Sequence, residues 1–193
     1  GRISSHLVWL GTYLLDLGAV TPFLYCFEDR EMILTIFEKA TGQRMMISHI
    51  TVGGVRSDIP GDFSADVAAF AKYLRKRLPE YETLVMENEI FVRRTVGVGV
   101  ITRPQTRDFG VTGPCMRGSG VPGDLRRDEP YCDGYQDLKF EVPVEEAGDC
   151  MARSKVRMRE LSTSLDLIEQ ALEKIPEGPV RAKVSRNLKV PAG

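Results

Sequence analysis

A carboxylate stands in a long apolar run near the start of the chain. Asp16 lies within LVWLGTYLLDLGAVTPFLYCF, which covers residues 7–27, and Thr12 precedes it by four residues. In a helix this spacing puts both side chains on one face. A carboxylate among apolar residues must find a hydrogen-bonding partner or take up a proton, because burial penalises its charge. We therefore predict a special role for Asp16, and its satisfaction by a local tyrosine or backbone group is the alternative.

A glycine-rich segment offers a second candidate site. Within RGSGVPGDLRRDEPY, residues 117–131, GSGVPG matches the spacing of a dinucleotide-binding fingerprint. That fingerprint needs a strand before it and a helix after it, so that the helix N-terminus faces the pyrophosphate. Pro122 lies inside the motif, Pro130 follows it, and the sequence indicates neither element. We expect no nucleotide site here; the segment is either an ordered loop closed by its own Arg–Asp pairs or a contact surface for another subunit.

The residues that most often bind metals are scattered. The two histidines are His6 and His49, and no cysteine belongs to a C-x-x-C pair. Zinc and iron–sulfur sites usually have clustered ligands, so the sequence predicts free thiols and no bound metal, and it favours a structural role for His49 beside a short strand. The four cysteines are Cys26, Cys115, Cys132 and Cys150.

The overall charge gives no reason to propose a nucleic-acid partner. Lys plus Arg is 26, Asp plus Glu is 27, and the net charge is -1. A length of 193 residues with 42% hydrophobic content is enough for one domain with a core. The segment 7–27 could span a bilayer by length, but it is interrupted by Asp16, glycines and Pro22, so we expect a buried helix in a soluble protein or complex.

Apolar periodicity predicts the elements that carry these groups. A second helix begins with Thr21 as N-cap and Pro22 as its first residue, and it stops at Gly42. A short strand and turn follow at residues 49–55, and an amphipathic helix at residues 63–86 is kinked or restarted at Pro79.

The second half of the chain is predicted to be a loop and then a long helix. Residues 110–135 are irregular, and residues 138–143 form a brief strand. A heptad pattern predicts a helix from about Asp149 to Ile175. The fold class is therefore mainly α, a bundle of four or five helices with short β segments and a long Gly/Pro-rich loop. Residues 1–180 form one helical domain, a fragment of a larger subunit, and residues 181–193 form a tail.

Several segments together resemble one known family over Arg2 to about Val180, in the order of that family. They are similar to the D subunit of the proton-pumping NADH:quinone oxidoreductase, bacterial complex I, which is related to the large subunit of nickel–iron hydrogenases. The segments are RISSHLVWLGTYLLDLGAVTPF, FEDREMILTIFEKATGQRM, ITVGGVRSDIP, TVGVGVIT, GVTGPCMRGSGVPGDLRRDEPY and GDCMARSKVRMRELSTSL.

The resemblance implies a role in quinone reduction. Asp16 matches the family aspartate that hydrogen-bonds a quinone-contacting histidine, and Thr12 would line the same cavity. That histidine and a quinone-contacting tyrosine belong to an upstream segment absent here, so the fragment alone should be inactive. Where many relatives carry a histidine near the terminal cluster, this chain has Met46, which implies a weaker pH dependence of the cluster potential.

The resemblance also implies cofactors, partners and a location. The chain itself would bind no cofactor: quinone is the substrate, and the iron–sulfur cluster lies on a partner subunit. The expected partners are the iron–sulfur small subunit, the C subunit and the membrane quinone-channel subunit, and the complex is a translocase peripheral to the cytoplasmic face of the cell membrane. A hydrogenase large-subunit core, which needs flanking cysteine pairs, and a purely architectural helical module are the alternatives.

Overall fold

The computed structural model describes residues 1–130 and 133–185. Four long helices make a bundle, and four short helices lie between the third and the last of them. Over these residues the helices are α1 (Arg2–Asp16), α2 (Val20–Thr41), α3 (Phe63–Tyr81), α4 (Glu89–Thr95), α5 (Arg103–Asp108), α6 (Gly113–Arg117), α7 (Leu125–Asp128) and α8 (Cys150–Glu173), and β1 (Ile50–Thr51) pairs antiparallel with β2 (Gly54–Val55). The prediction of a mainly helical bundle with small β segments is confirmed.

The apolar run at residues 7–27 forms two helices. α1 ends at Asp16, Gly18 adopts a φ of 92°, and α2 begins at Val20. The predicted stop of α2 is confirmed, because Gly42 takes the left-handed conformation there. The predicted start is wrong: Ala19 is the N-cap, and it makes no side-chain hydrogen bond.

The core lies where α1, α2, α3 and α8 meet. One face of α1 buries Ile3, Leu7, Leu10 and Leu14 completely or nearly so. Gly11 lets α1 and α2 approach closely, since a Cβ there would lie 3.3 Å from the Cβ of Cys26. No helix among the described residues is long and apolar enough to cross a membrane.

The regular α-helix is not interrupted at Pro79, as predicted, but three residues later. α3 continues through Pro79 to Tyr81 and then passes into a π-helical turn, Glu82–Met86. Proline removes one backbone donor from the helix, and the π-helical turn that follows has the single-turn length in which π-helices mostly occur. Val85 and Met86 remain buried in that turn, so the apolar periodicity, rather than the proline, decides where the segment packs.

The prediction of a long helix near the C-terminal end is confirmed. Asp149 caps α8 by accepting a hydrogen bond from the backbone N–H of Ala152 at 2.7 Å. The heptad positions from Met151 to Leu165 are buried, whereas Ile175 lies beyond the end of α8 and is exposed.

The strand predicted at residues 138–143 is wrong. This segment has no strand partner in the described part of the chain, and the side-chain amide of Gln170 instead bonds both the N–H and the carbonyl of Lys139. The predicted strand at residues 49–55 forms β1 and β2, onto which Val180 and Ala182 add two backbone hydrogen bonds. Cys132 and most of the predicted tail, residues 186–193, lie outside the described residues.

A buried carboxylate ties α2 to α3. Asp29 is fully buried and accepts hydrogen bonds from the hydroxyls of Tyr73, at 2.8 Å, and Tyr81, at 2.5 Å. The Nε atom of Arg77 lies 3.5 Å from the same carboxylate, and the guanidinium stacks on the rings of Tyr25 and Tyr81. Burial, reinforced by the hydrogen bond to Asp29, raises the pKa of Tyr81. Both hydroxyls therefore stay protonated as donors.

We expect Asp29→Asn to lower the free energy of unfolding by about 3–5 kcal/mol, because it leaves Arg77 without its buried counter-charge. Urea unfolding followed by circular dichroism measures the change. Glu28→Gln, at the exposed neighbouring position, is the matched control and should change stability by less than about 0.5 kcal/mol. Equal effects of the two substitutions would contradict the role of the buried carboxylate.

Candidate functional site

Asp16 lies at the exposed end of α1. The sequence placed it in the middle of an apolar helix, but it is the last residue of α1, and its side chain faces solvent. Among the described residues it has no hydrogen-bonding or ion-pair partner, so the alternative of a local tyrosine or backbone partner is not what the structure contains. A carboxylate with all its acceptor capacity open can receive donors from another chain segment or a ligand.

Thr12 lies one turn before Asp16 on the same exposed side of α1. Its hydroxyl donates to the carbonyl of Val8 at 2.8 Å, which leaves the oxygen lone pairs of Thr12 open to a donor. The structure therefore brings the two predicted site residues together on one face. Their roles in a quinone cavity remain predictions.

Apolar side chains flank this pair in the chain. Leu15 is 41% exposed, Val20 55% and Leu24 58%, and they occupy the end of α1 and the first two turns of α2. Exposed apolar side chains that form a contiguous patch mark a surface that another molecule covers. Such a cover would also take Asp16 out of water and strengthen its interaction with any donor brought to it.

The glycine-rich segment is closed by ion pairs, which is one of the two alternatives that the sequence leaves open. Arg126 donates two hydrogen bonds to Asp124, at 3.0 and 2.9 Å, and Arg127 donates to Asp128 at 2.7 Å. Burial would raise the pKa of the Asp124 carboxyl, but its hydrogen bonds and the charge of Arg126 hold that pKa well below the usual range. Asp124 therefore stays ionised and accepts from the N–H of Arg126 at the start of α7.

The surroundings of GSGVPG differ in part from the expectation. The sequence indicates neither a strand before the motif nor a helix after it, whereas in the structure α6 precedes the motif and the four-residue α7 follows it. The element before the motif is thus a helix, whereas a dinucleotide fingerprint begins from a strand. The glycines serve packing instead: a Cβ at Gly118 would lie 2.9 Å from Cγ of Arg153 on α8.

A buried ion cluster, which sequence reasoning missed, joins this loop to α1 and α8. Glu160 of α8 is 1% exposed. Its carboxylate contacts Nε2 of His6 at 2.6 Å and accepts from Nε of Arg117 at 2.8 Å. Arg117 also donates to the carbonyl of Gly123 at 2.7 Å. The one sequence signal was the position of Glu160 beside Leu161 of the heptad seam, on the inner side of the helix. We call Arg2, His6, Arg117 and Glu160 the Glu160 cluster.

The electrostatics of the Glu160 cluster favour an ionised glutamate. Burial alone would raise the pKa of Glu160, but the hydrogen bond from His6 and the charges of Arg117 and Arg2 outweigh it and lower that pKa. A cavity of about 460 Å³ adjoins the cluster and is lined by its side chains and by α6 and α7. A second, mostly apolar cavity of about 420 Å³ lies among the long helices.

Metal ligands are not grouped in the described residues. No set of three or more His, Cys, Asp or Glu side chains within them is placed to hold a metal ion. Cys26, Cys115 and Cys150 are free thiols, as predicted. His49 is half-buried beside β1.

The comparisons with known proteins all indicate the same protein family. A family model described as "Respiratory-chain NADH dehydrogenase, 49 Kd subunit" matches residues 16–192. The D subunit of NADH-quinone oxidoreductase from Geobacillus kaustophilus is 47% identical over 194 residues, covering 100% of this chain and 53% of the relative. The D subunit from Syntrophobacter fumaroxidans is 49% identical over 193 residues, with 100% and 52% covered.

A chloroplast relative extends the comparison. The H subunit of the chloroplastic NAD(P)H-quinone oxidoreductase from Nephroselmis olivacea is 46% identical over 187 residues, which cover 97% of this chain and 48% of the relative. The chain therefore spans about half the length of the curated relatives it matches.

We expect Glu160→Gln to weaken folding and to flatten its dependence on acid pH. The folded-state pKa of Glu160 lies below its ordinary value of 4.5, so its stabilisation is present above that pH and is lost as the pH falls through the lower folded-state pKa. Urea unfolding at neutral pH should show a loss of about 3–5 kcal/mol. Repeating it at stepwise lower pH should show that the difference between the two proteins shrinks.

The matched control is Glu173→Gln, an exposed position at the end of the same helix. It should leave both the stability and its pH dependence close to those of the unaltered chain. A Glu160→Gln protein whose deficit stays constant down to the lowest pH would show that the carboxylate charge is not what stabilises the cluster.

Proposed function

Because this chain belongs to the family of the 49 kDa subunit of respiratory-chain NADH dehydrogenase, we propose that it is part of the D subunit of an NADH-quinone oxidoreductase and helps to form the quinone-reduction cavity. The observation that carries the site assignment is the carboxylate of Asp16, which has no partner among the described residues and lies on an exposed face between exposed apolar residues of the chain. The names of the relatives support the substrate class, since each belongs to a quinone oxidoreductase.

The proposed chemistry divides the work between chains. Reduction of a quinone to a quinol consumes two electrons and two protons. The electrons come from an iron–sulfur cluster held by a partner subunit, and the protons reach the quinone oxygens through protein groups. Asp16 acts by accepting a hydrogen bond from a quinone-contacting imidazole outside this segment, so that the imidazolium is oriented and stabilised as a general acid.

The geometry of α1 supports this assignment. Asp16 and Thr12 lie one turn apart on the exposed side, while Leu10 and Leu14 anchor the opposite side in the core. A site carried by a packed helix holds its side chains more precisely than one carried by a loop. Thr12 lines the same cavity and can accept a hydrogen bond from the imidazole or the quinol.

Membership of a larger complex follows from the same proposal. The iron–sulfur small subunit, the C subunit and the membrane quinone-channel subunit are the proposed partners, at the cytoplasmic face of an energy-converting membrane. The apolar side chains of Leu15, Val20 and Leu24 then lie at a buried interface rather than in water. The isolated segment is inactive in this proposal, because the imidazole that donates to Asp16 is supplied from outside it.

We expect Asp16→Asn, introduced into the assembled complex, to lower the kcat of quinone reduction by about 100-fold, in the range that a positioned proton donor contributes. An asparagine can still accept a hydrogen bond, but it cannot stabilise an imidazolium by charge. NADH oxidation by an artificial acceptor, which bypasses the quinone, should stay nearly unchanged. Thr12→Val should have a smaller effect on quinone reduction.

Asp108→Asn is the matched control, since Asp108 is also an exposed aspartate at the last position of a helix. It should leave both activities intact. Loss of both activities in Asp16→Asn would indicate misassembly, and full quinone reduction with Asp16→Asn would refute the proposed role.

A further inference from the structure

We propose that His6 and Glu160 are positioning residues, which set the rotation of α1 and thereby the direction in which Asp16 points. The inference rests on the proposed role of Asp16 in quinone reduction. It starts from the order of side chains along α1, where one side carries Arg2, His6, Trp9, Tyr13 and Asp16. These residues follow one another in alternating steps of four and three, and residues so spaced share one side of a helix.

α8 carries a matching row of Cys150, Arg153, Arg157 and Glu160. At one end, Nε2 of His6 lies 2.6 Å from Oε2 of Glu160. In the middle, the guanidinium carbon of Arg157 lies 4.7 Å from the ring centroid of Trp9. At the other end, burial and the neighbouring thiol of Cys150 raise the pKa of Tyr13 to about 12. The two helices are therefore antiparallel along a polar seam that leads from the Glu160 cluster toward Asp16.

Glu160 is the end of this seam that is held by several ionic contacts. Its carboxylate is held by Arg117 through Nε at 2.8 Å and through a second guanidinium nitrogen at 2.5 Å, and Arg2 lies 3.8 Å away. Arg117 is itself 3% exposed and anchored to the carbonyl of Gly123. A short bond from His6 to a group held on several sides fixes where the imidazole must lie.

The apolar face of α1 cannot set the rotation as sharply. Leu7, Leu10 and Leu14 are buried, but hydrophobic contacts are non-directional and tolerate small rotations. Because a side chain stands about 5–6 Å from the helix axis, a rotation of about 20° moves its end by about 2 Å. Misplacement of a catalytic group by about 1 Å can cost a factor of about 100 in rate.

α1 transmits this constraint because it is one continuous helix from Arg2 to Asp16. Ten residues separate His6 from Asp16, about 15 Å at 1.5 Å per residue. Asp16 itself has no hydrogen bond or ion pair with a described residue, so the helix that carries it sets its direction. The His6 contact is the most restrictive polar contact on that helix, since both of its side chains are buried.

The test uses the assembled complex with substitutions at His6. His6→Ala removes the contact with Glu160, and we expect the kcat of quinone reduction to fall by about 10-fold to 100-fold, while NADH oxidation by an artificial acceptor is retained. His6→Gln can still donate a hydrogen bond to Glu160 and should restore quinone reduction to within about threefold of the unaltered complex. Failure of His6→Gln to restore the rate would overturn the proposal.

A double substitution separates positioning from a general structural role. If His6 acts through Asp16, the variant that combines His6→Ala with Asp16→Asn should be no slower than Asp16→Asn alone. Multiplying effects, or unchanged kinetics with His6→Ala, would overturn the proposal. Arg75→Ala is the control: it breaks an exposed ion pair between α3 and α8 and should leave quinone reduction unchanged.

Two further outcomes are distinguishable. If the complex with His6→Ala does not assemble, His6→Phe replaces it, because phenylalanine fills the site without bonding to Glu160. We expect the same fall in the kcat of quinone reduction for His6→Phe. Loss of assembly in both variants would make the pair purely structural and would overturn the proposal. Normal quinone reduction with Asp16→Asn would refute the proposed function itself. A slow Asp16→Asn complex beside a normal His6→Ala complex would refute the positioning role alone.

Discussion

The arrangement of this bundle depends on compensating a charge buried inside it. Glu160 carries its carboxylate into the interior on α8, and the cost of removing that charge from water is large unless several donors meet it. His6 of α1 and Arg117 of α6 supply those donors. The carboxylate of Glu160 thus holds α1, α6 and the glycine-rich loop against α8, because it loses its donors when these elements move away.

The same principle recurs between α2 and α3, where Asp29 is met by Tyr73, Tyr81 and Arg77. The two buried carboxylates act on different helix pairs and share no partner. Leucine packing supplies most of the stabilisation in such a bundle, but the hydrophobic effect is non-directional. Polar contacts are directional, and we regard the selection of one helix rotation as their main contribution here.

The long elements could be predicted from the sequence because their signals are local. The heptad run from Met151 to Leu165 and the stop of α2 at Gly42 depend on neighbours within a few turns. The false strand at residues 138–143 shows the limit of such signals, because a side-chain amide of Gln170 takes the place of a partner strand. The Glu160 cluster joins residues 154 positions apart, and periodicity holds no information about which distant cation will meet a given carboxylate.

The carboxylate of the candidate site differs from the buried carboxylates of the core in its surroundings. In the sequence Asp16 is a carboxylate in an apolar run, and in the structure it lies on an exposed face, next in the chain to the exposed Leu15. The buried carboxylates Asp29 and Glu160 are met by donors from within the chain, whereas Asp16 has none among the residues that the structure describes. In the role proposed for Asp16, a donor from outside the segment would complete this pattern, and α1 would be the support that presents the carboxylate to it.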